Sequence, residues 1–303
     1  MNMMNNPVFL QAAGNTGSEG IIMQFTEIGE RTGGRFIQLV GRVGGVIDVK
    51  YIHEGEIINE TYPFPAPDPE SESQESVLEL YLYDADPETN VRILGDVEAL
   101  RQTDAGDDGI KSIKGHLRSL KEIMLVWMSD FNEINVSGFK NLEALYLKCY
   151  SSCELNTINI QDNISISRLG LLNLKNFNSL DIQHNVNIQR LNIENLPKIK
   201  SISLLKNVNI NEILLEDLPE LEHLTLVGFE NNQVNDFSTP NFPMLSTIKT
   251  LGVNFGNMNF VENAISNSEM DNGTVYVPTD APEYVGIHTA ATERGWSVEP
   301  LQA

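Results

Sequence analysis

The chain has 303 residues and carries 42 Asp and Glu against 20 Lys and Arg, which gives a formal net charge of −22. The acidic excess is concentrated in residues 51–108, where sixteen acidic residues accompany only Arg92 and Arg101, a net of −14. A surface of this charge repels nucleic-acid phosphates and anionic lipid headgroups. The composition therefore argues against nucleic acid as a partner, and the length leaves room for about two domains.

Residues 1–20 are predicted to form an N-terminal arm rich in Gly and Asn. No Lys or Arg precedes Arg31, and no apolar run in this region resembles the core of a signal peptide. No stretch of the sequence has the length and apolar character of a transmembrane helix. We therefore expect no signal peptide and no membrane insertion, and we expect the arm to dock onto a partner or onto another copy of the chain.

Residues 21–90 are predicted to form a β-rich module that contains a polar, Pro-rich loop near residues 63–75. Two acidic clusters, residues 84–88 and residues 104–108, are candidate calcium sites, because clustered carboxylates beside Gly can surround this ion. Neither cluster has the EF-hand spacing, so solvated turns are favoured. No metal and no cofactor is predicted.

Residues 91–256 are predicted to form a solenoid, because the sequence repeats with a period of 22 residues from about Leu120 to Leu226. Apolar residues occupy positions 1, 4, 6, 12, 15 and 17 of each unit, as in Leu155, Ile158, Ile160, Ile166, Leu169 and Leu171. The half-repeat recurs every 11 residues, which predicts two short extended segments per coil and no full helix. Five or six stacked coils would then share a continuous core.

Two features of the repeat depart from a simple periodic pattern. Position 9 is Asn163, Asn185 and Asn207 in three successive units, and we expect these buried amides to satisfy backbone groups of adjacent coils. Only 13 residues separate Leu142 from the next unit start at Leu155. We therefore expect one half-coil to be missing or replaced near residues 148–154.

The two cysteines of the chain, Cys149 and Cys153, lie in this irregular unit. Without a nearby His or a second Cys pair they do not form a usual structural zinc site. A disulfide across the short loop is one alternative. Small packed thiols are favoured, because a cytosolic origin would keep them reduced.

Residues between the apolar positions are expected to project outward in aligned columns. We expect the first strand of every unit, whether it starts at residue 120, 142, 155, 177, 199 or 221, to contribute to one such face. Large amphipathic rings and charged side chains there are candidates for partner contacts. The candidate binding residues are Trp127, Tyr146, Asp181, His184, Lys206 and His223. For Trp127 an alternative is packing under the β-rich module at the first coil.

Motifs that flank the repeats support a family resemblance. Val91–Asp96 has the form V-x-I-x-G-D, Phe36–Val49 has the pattern of a strand pair, and Gly273–Pro278 is followed by Arg294–Val298. Together with the 22-residue units, these motifs resemble the short leucine-rich repeats of bacterial surface proteins, especially those of Bacteroidetes and of bacteriophages that infect them. The resemblance implies a mainly β fold with some α. It places a leucine-rich-repeat solenoid between the β-rich module and a strand–helix–strand cap at residues 257–303.

No motif places a nucleophile, a base and an orienting group together, so we do not expect an enzyme. We expect a non-enzymatic recognition or structural protein, a spike or fibre component of a virion that binds another virion protein or the host surface. The partner would be a protein or a surface glycan, and the chain would act in a homo-oligomer or a virion assembly. The alternative is a bacterial adhesin at the cell surface or an intracellular protein-interaction scaffold in the cytoplasm.

Overall fold

The protein is described here by a computed structural model. The structure describes residues 20–25, 36–70, 74–82, 85–86, 89–102, 110–128, 131–149, 153–156, 158–160, 163–183, 187–205, 212–227, 233–234, 236–237, 242–245, 247–251, 254–255, 259–277 and 284–300. The fold is mainly β and contains a β-solenoid of about six turns. The predicted arm, apart from Gly20, lies outside the described residues, as does the acidic cluster at residues 104–108.

The N-terminal and central strands are β1 (Gly20–Phe25), β2 (Phe36–Gly41), β3 (Val46–His53), β4 (Glu56–Pro63), β5 (Ser76–Tyr81), β6 (Asn90–Gly95), β7 (Val97–Gln102), β8 (Ile110–His116), β9 (Glu122–Met128), β10 (Glu133–Asn135), β11 (Ala144–Cys149) and β12 (Ile158–Asn159). The remaining elements are β13 (Arg168–Leu172), β14 (Ser179–Gln183), β15 (Arg190–Glu194), β16 (Ser201–Leu205), β17 (Glu212–Glu216), β18 (His223–Val227), β19 (Gln233–Val234), β20 (Asp236–Phe237), β21 (Thr247–Leu251), β22 (Asn254–Phe255), α1 (Asn259–Asn267), β23 (Thr274–Val277), α2 (Tyr284–Glu293) and β24 (Ser297–Pro300).

Two walls of strands enclose the core. The first wall is a nine-stranded sheet in the order β20-β17-β15-β13-β11-β9-β7-β2-β5. The second wall consists of a seven-stranded sheet, β12-β10-β8-β1-β6-β3-β4, and a six-stranded sheet, β14-β16-β18-β21-β23-β24. From β7 to β18 successive strands alternate between the walls, so that each coil adds one parallel strand to each of them.

The alternation of side chains along each strand explains why these segments fold in this way. In β15, Leu191 and Ile193 are buried, whereas the residues between and beside them are half-buried or exposed. Successive side chains of a strand point to opposite faces, so the apolar positions of each half-repeat meet in the interior. The buried apolar residues form one cluster that extends from Ile21 to Trp296. The prediction of two extended segments per coil is therefore confirmed.

The prediction of a missing half-coil near residues 148–154 is wrong. Strand β11 pairs with β9 and β13 in the first wall, and β12 pairs with β10 in the second, so both halves of this coil are present. The step of 13 residues from Leu142 to Leu155 instead reflects a half-coil that is two residues longer than its neighbours.

The expectation of free thiols is also wrong, because Cys149 and Cys153 form a disulfide within the longer half-coil and both are buried.

We expect this disulfide to be present in the purified protein. Alkylation of denatured, unreduced protein should label neither cysteine, and alkylation after reduction should label both Cys149 and Cys153. The intact mass measured after each treatment distinguishes the two states. Two labels on the unreduced protein would show that the thiols are free.

Residues in the left-handed conformation recur in the turns that follow the strands of the first wall. Asn173, Asn195 and Asp217 have φ values of 58°, 53° and 52° and recur every 22 residues. The side-chain amide of Asn195 donates to Oδ1 of Asn173 at 2.8 Å, and the backbone N–H of Asn195 donates to the carbonyl of Glu216 at 3.0 Å. Asn and Asp tolerate this left-handed conformation better than most residues. These residues therefore end the strands and link successive coils.

The amide ladder predicted from the sequence consists of residues at a different position of the repeat, namely Asn163, Asn185 and Asn207. Of those three residues, Asn163 is fully buried in a turn where its carbonyl accepts from the N–H of Ile166 at 3.2 Å. Asn185 and Asn207 lie outside the described residues. For those two positions the expected ladder stays a prediction.

The strands before the solenoid are antiparallel and continue its walls. The stretch Phe36–Val49 contains strand residues as predicted, but β2 and β3 do not pair with each other. Strand β2 pairs with β5 and β7 in the first wall, whereas β3 pairs with β4 and β6 in the second.

Of the acidic residues at 84–88, the structure describes Asp86, whose carboxylate accepts from the backbone N–H groups of Glu54 and Gly55 at 2.9 and 3.0 Å. Asp86 thus holds the β3–β4 hairpin turn.

The C-terminal end contains a strand, a helix and a final strand, as the motifs there indicated. Strands β23 and β24 are parallel neighbours at the end of the six-stranded sheet, and α2 connects them. The ring of Trp296 is buried over Gly273, and its indole N–H donates to the carbonyl of Met270 at 2.7 Å. The domain limits at residues 20, 90 and 256 stay predictions.

Candidate functional site

A groove crosses the outer face of the nine-stranded sheet over strands β9 to β17. The parallel register aligns its outward side chains in two adjacent columns. The central column is Met124, Tyr146, Gly170, Asn192 and Leu214, and the flanking column is Glu122, Ala144, Arg168, Arg190 and Glu212. These ten residues are among those that line a groove of about 300 Å³. We refer to this feature as the Tyr146 groove.

Tyr146 lies over Gly170, the residue beside it on the next strand. A Cβ atom at Gly170 would overlap the edge of the Tyr146 ring. The missing side chain of Gly170 therefore lets the ring lie close to the sheet, where it is half-buried. Burial, and secondarily the negative charge of Glu194, raise the pKa of the Tyr146 phenol above its ordinary value. The phenol is consequently neutral at physiological pH and can donate a hydrogen bond.

Ionic contacts hold one end of the Tyr146 groove. Arg101 binds Glu75 through two nitrogens, at 2.5 and 3.1 Å, and its Nε donates to Oε1 of Glu122 at 2.6 Å. The hydrogen bond with Glu75 is the largest of the effects that raise the pKa of Arg101. Oε2 of Glu122 lies 3.8 Å from Nη2 of Arg168. Arg101 on β7 thus joins Glu75, which directly precedes β5, to Glu122 on β9 and fixes the position of Glu122.

We expect Arg101→Met to lower the free energy of unfolding by about 2 kcal/mol, because two partly buried carboxylates would lose their common partner. The side chains of Arg101, Glu75 and Glu122 are only 23%, 33% and 18% exposed. Their residual contact with water keeps the expected loss below the 3–5 kcal/mol that is typical of fully buried pairs. Urea denaturation at neutral pH measures the effect.

The matched control is Arg190→Met, which removes an arginine from an ion pair of similar geometry on the same face. Arg190 Nε lies 2.9 Å from Glu212 Oε2, but these side chains are 69% and 47% exposed. Exposed pairs of this kind contribute about 0.2–1 kcal/mol. Equal losses in the two variants would contradict a structural role specific to Arg101.

Asn192 places an amide in the middle of the Tyr146 groove. Its Oδ1 is buried and accepts no hydrogen bond from the described residues. This oxygen is covered by protein, so it is not open to a ligand. The half-buried side chain as a whole lines the groove beside the Tyr146 ring and the guanidinium groups of Arg168 and Arg190.

The structure separates the binding residues that the sequence analysis placed on one face. Tyr146 lies in the nine-stranded sheet, whereas Asp181 and His223 lie on β14 and β18 of the six-stranded sheet. The expectation of a single face is wrong, because Leu155 begins the second half of the coil that starts at Leu142, so the units counted from Leu155 onward begin in the second wall. Units that start at 120 and 142 enter the first wall, and units that start at 155, 177, 199 and 221 enter the second.

The other candidates are described only in part or not at all. Trp127 belongs to β9 and Asp181 to β14, but the structure does not describe the side chains of these two residues. His184 and Lys206 also lie outside it. His223 is about half exposed, with Nε2 lying 3.8 Å from Oε2 of Glu222. Among these candidates, Tyr146 alone is shown to line the groove.

No protein-family model, curated protein or solved structure matches the chain. The chemistry of the groove must therefore be derived from its own residues. Within the described part of the chain, no group of three or more His, Cys, Asp or Glu side chains could hold a metal ion. None of the helices seen there has the length and apolar character needed to cross a membrane.

Four residues of the groove were not predicted from the sequence: Arg168, Gly170, Arg190 and Asn192. A signal for the arginines exists, since position 14 of three successive units is Arg168, Arg190 and Glu212. Gly170 replaces a larger residue at position 16, where the next two units have Asn192 and Leu214. A recurring charge beside an isolated Gly therefore marked the groove in the sequence.

Proposed function

We propose that the chain is a non-enzymatic binding and structural protein that contacts its partner through the Tyr146 groove. The observation that carries the proposal is the convergence of an aromatic ring, two exposed arginines and a half-buried side-chain amide on three neighbouring parallel strands, β11, β13 and β15. A stacked sheet holds such side chains at fixed spacing, so that little ordering of the protein accompanies binding. A rigid β-solenoid is also compatible with a fibre-like structural role.

The arrangement of carboxylates in the groove supports binding over glycoside hydrolysis. Hydrolysis by two carboxyl groups requires them to be within about 10 Å of each other. Glu122 and Glu212 line the groove on β9 and β17, which are four strand spacings apart. Four spacings correspond to roughly 19 Å. The Glu122–Glu212 pair therefore suits recognition of a ligand and not the cleavage of one.

We infer that the solenoid is of the short leucine-rich-repeat type, with an N-terminal β-rich module and a C-terminal cap. The 22-residue period and the strand–helix–strand order after residue 270 support this assignment. Open ends of a solenoid expose apolar coil edges, which terminal units usually cover. Strands β1 to β6 at one end and β23, α2 and β24 at the other are suited to that role.

We propose a virion as the site of action, with the chain acting as a spike or fibre component that contacts another virion protein or the host surface. The resemblance of the repeats to those of bacterial surface proteins and of bacteriophages that infect Bacteroidetes supports this location. A bacterial adhesin or an intracellular scaffold is the alternative. Density-gradient sedimentation of a lysate from the natural source, followed by mass spectrometry, separates the two. Banding with particles is expected, and recovery only with soluble protein or cell envelope would exclude the virion role.

The role of the groove is tested with labelled protein and cell envelopes from the natural host. Tyr146→Ala is expected to weaken envelope binding by about tenfold, because the ring is the largest apolar surface in the groove. Tyr81→Ala is the matched control, since Tyr81 is an exposed tyrosine on β5 at the edge of the same sheet. Unchanged binding by folded Tyr146→Ala would remove the groove from the function.

A further inference from the structure

The Tyr146 groove has features that select one chemical class of ligand. We propose that it binds an uncharged, extended oligosaccharide, and this inference rests on the proposed binding function. The ligand would lie along the central column, across strands β11 to β17. Tyr146 would contact an apolar face of one sugar ring, and the side-chain amide of Asn192 would contact a hydroxyl of the next.

The charges of the groove favour a neutral ligand. Its lining contains two arginines, Arg168 and Arg190, and two glutamates, Glu122 and Glu212, so its formal charges cancel. A polyanion would be repelled by the chain as a whole, with its net charge of −22. A polycation would meet the exposed guanidinium groups of Arg168 and Arg190, which are 58% and 69% exposed. Hydroxyl groups can instead accept from the arginines and donate to the carboxylates.

The polar side chains of the groove require hydrogen-bonding groups in the ligand. Asn192, Arg168 and Arg190 line the groove, so a ligand that covers them without hydrogen bonding would leave polar groups unsatisfied. A sugar hydroxyl both donates and accepts, and its hydrogen can rotate toward the nearest acceptor. An apolar ligand would meet the Tyr146 ring but would leave the amide and the charged column unpaired. A polyhydroxylated ligand is therefore favoured over a lipid or another apolar molecule.

The spacing of the columns distinguishes a glycan from a peptide. Neighbouring strands of a sheet are about 4.8 Å apart, so equivalent side chains in the groove recur at this interval. One pyranose ring with its glycosidic oxygen advances an extended chain by a similar distance. An extended peptide advances by about 3.3–3.6 Å per residue and would not stay in register with the strands. The groove volume of about 300 Å³ is at the lower end of the range for small-molecule sites.

The test is isothermal titration calorimetry of the full chain with four neutral hexasaccharides, namely cellohexaose, chitohexaose, mannohexaose and xylohexaose. Hexagalacturonate and an acidic decapeptide serve as charged comparisons. We expect at least one neutral hexasaccharide to bind at millimolar concentration or below and to bind more tightly than both charged probes. Absence of binding by all four neutral probes would overturn the assignment of ligand class, as would tighter binding of either charged probe.

Variants localise the binding to the groove. Tyr146→Ala is expected to weaken the affinity for the bound hexasaccharide about tenfold and Asn192→Ala about fivefold. Tyr146→Phe, which keeps the ring, and Tyr81→Ala, outside the groove, should each stay within about twofold of the unmodified chain. Circular dichroism establishes that each variant is folded. Equal binding by unmodified chain and Tyr146→Ala would overturn the placement of the sugar.

Envelope binding and saccharide binding together distinguish a wrong ligand class from a wrong binding site. If no neutral hexasaccharide binds but Tyr146→Ala still loses envelope binding, the groove is a recognition site for another class of ligand. If the acidic decapeptide binds and Tyr146→Ala abolishes that binding, a protein partner replaces the glycan. If Tyr146→Ala changes neither envelope binding nor saccharide binding, both the binding function of the groove and its assignment to an oligosaccharide are contradicted.

Discussion

Replacement of Ile166 by alanine is expected to lower the free energy of unfolding by about 2–5 kcal/mol. Ile166 is completely buried and belongs to the continuous core of the solenoid. Truncation to Ala removes buried methyl and methylene groups and leaves a cavity that the stacked coils can only partly fill. A stack of coils transmits this loss to both neighbours, because each coil is stabilised mainly by adjacent ones.

Ile164→Ala is the matched control for Ile166→Ala. Ile164 is the same residue type, two positions earlier in the same turn, but it is 57% exposed. Substitutions at surface positions of this kind usually change stability by less than about 0.5 kcal/mol. Urea denaturation followed by circular dichroism compares the two variants. Similar losses for both would contradict the orientation of this turn.

Gly115→Ala is expected to lower the free energy of unfolding by about 2–5 kcal/mol, through backbone strain and overpacking together. Gly115 lies on β8 with a φ of 146°, opposite Ile21 of β1. A Cβ atom at this position would overlap the carbonyl oxygen of Gly20 and lie 3.2 Å from the Cα of Ile21. Because the obstacle is backbone, a side chain cannot move aside, and β1 must shift away from β8.

Gly44→Ala separates the strain of a positive φ from the steric overlap. Gly44 has a φ of 74°, and a Cβ atom there would meet nothing within 4 Å. Its replacement should therefore lower stability by only about 1 kcal/mol, from the conformational preference of alanine alone. Thermal unfolding of the two variants measures the difference. A Gly115→Ala variant that is as stable as Gly44→Ala would show that β1 and β8 are not packed this closely.

The repeat was predictable from sequence because each apolar position recurs with the same local spacing. Equivalent apolar positions of successive units are buried, as the pattern required: Leu169 and Leu171, Leu191 and Ile193, and Ile213 and Leu215. Alternation along a strand determines which side chains face inward, and it does not depend on the partner strand. The number of extended segments per coil followed from the 11-residue spacing for the same reason.

The pairing of the N-terminal strands was not predictable in this way. Strands β2 and β3 are neighbours in sequence but join opposite walls, and β1 lies between β6 and β8. These contacts join residues far apart in the chain. Local apolar patterns identify such strands but do not identify their partners. The hairpin contact of Asp86 with the Glu54 and Gly55 amides is non-local for the same reason.

The sequence by itself determined the period, the inward residues and the presence of two strands per coil, because these depend on spacing along the chain. The tertiary structure decided which wall each strand joins, since both halves of the repeat have the same apolar pattern and the spacing alone does not show that Leu155 begins the second half of a coil. It also decided the composition of the groove. Tyr146, Gly170 and Asn192 become neighbours only when parallel strands from successive coils align, and that alignment is set by hydrogen bonds between strands that no single repeat contains.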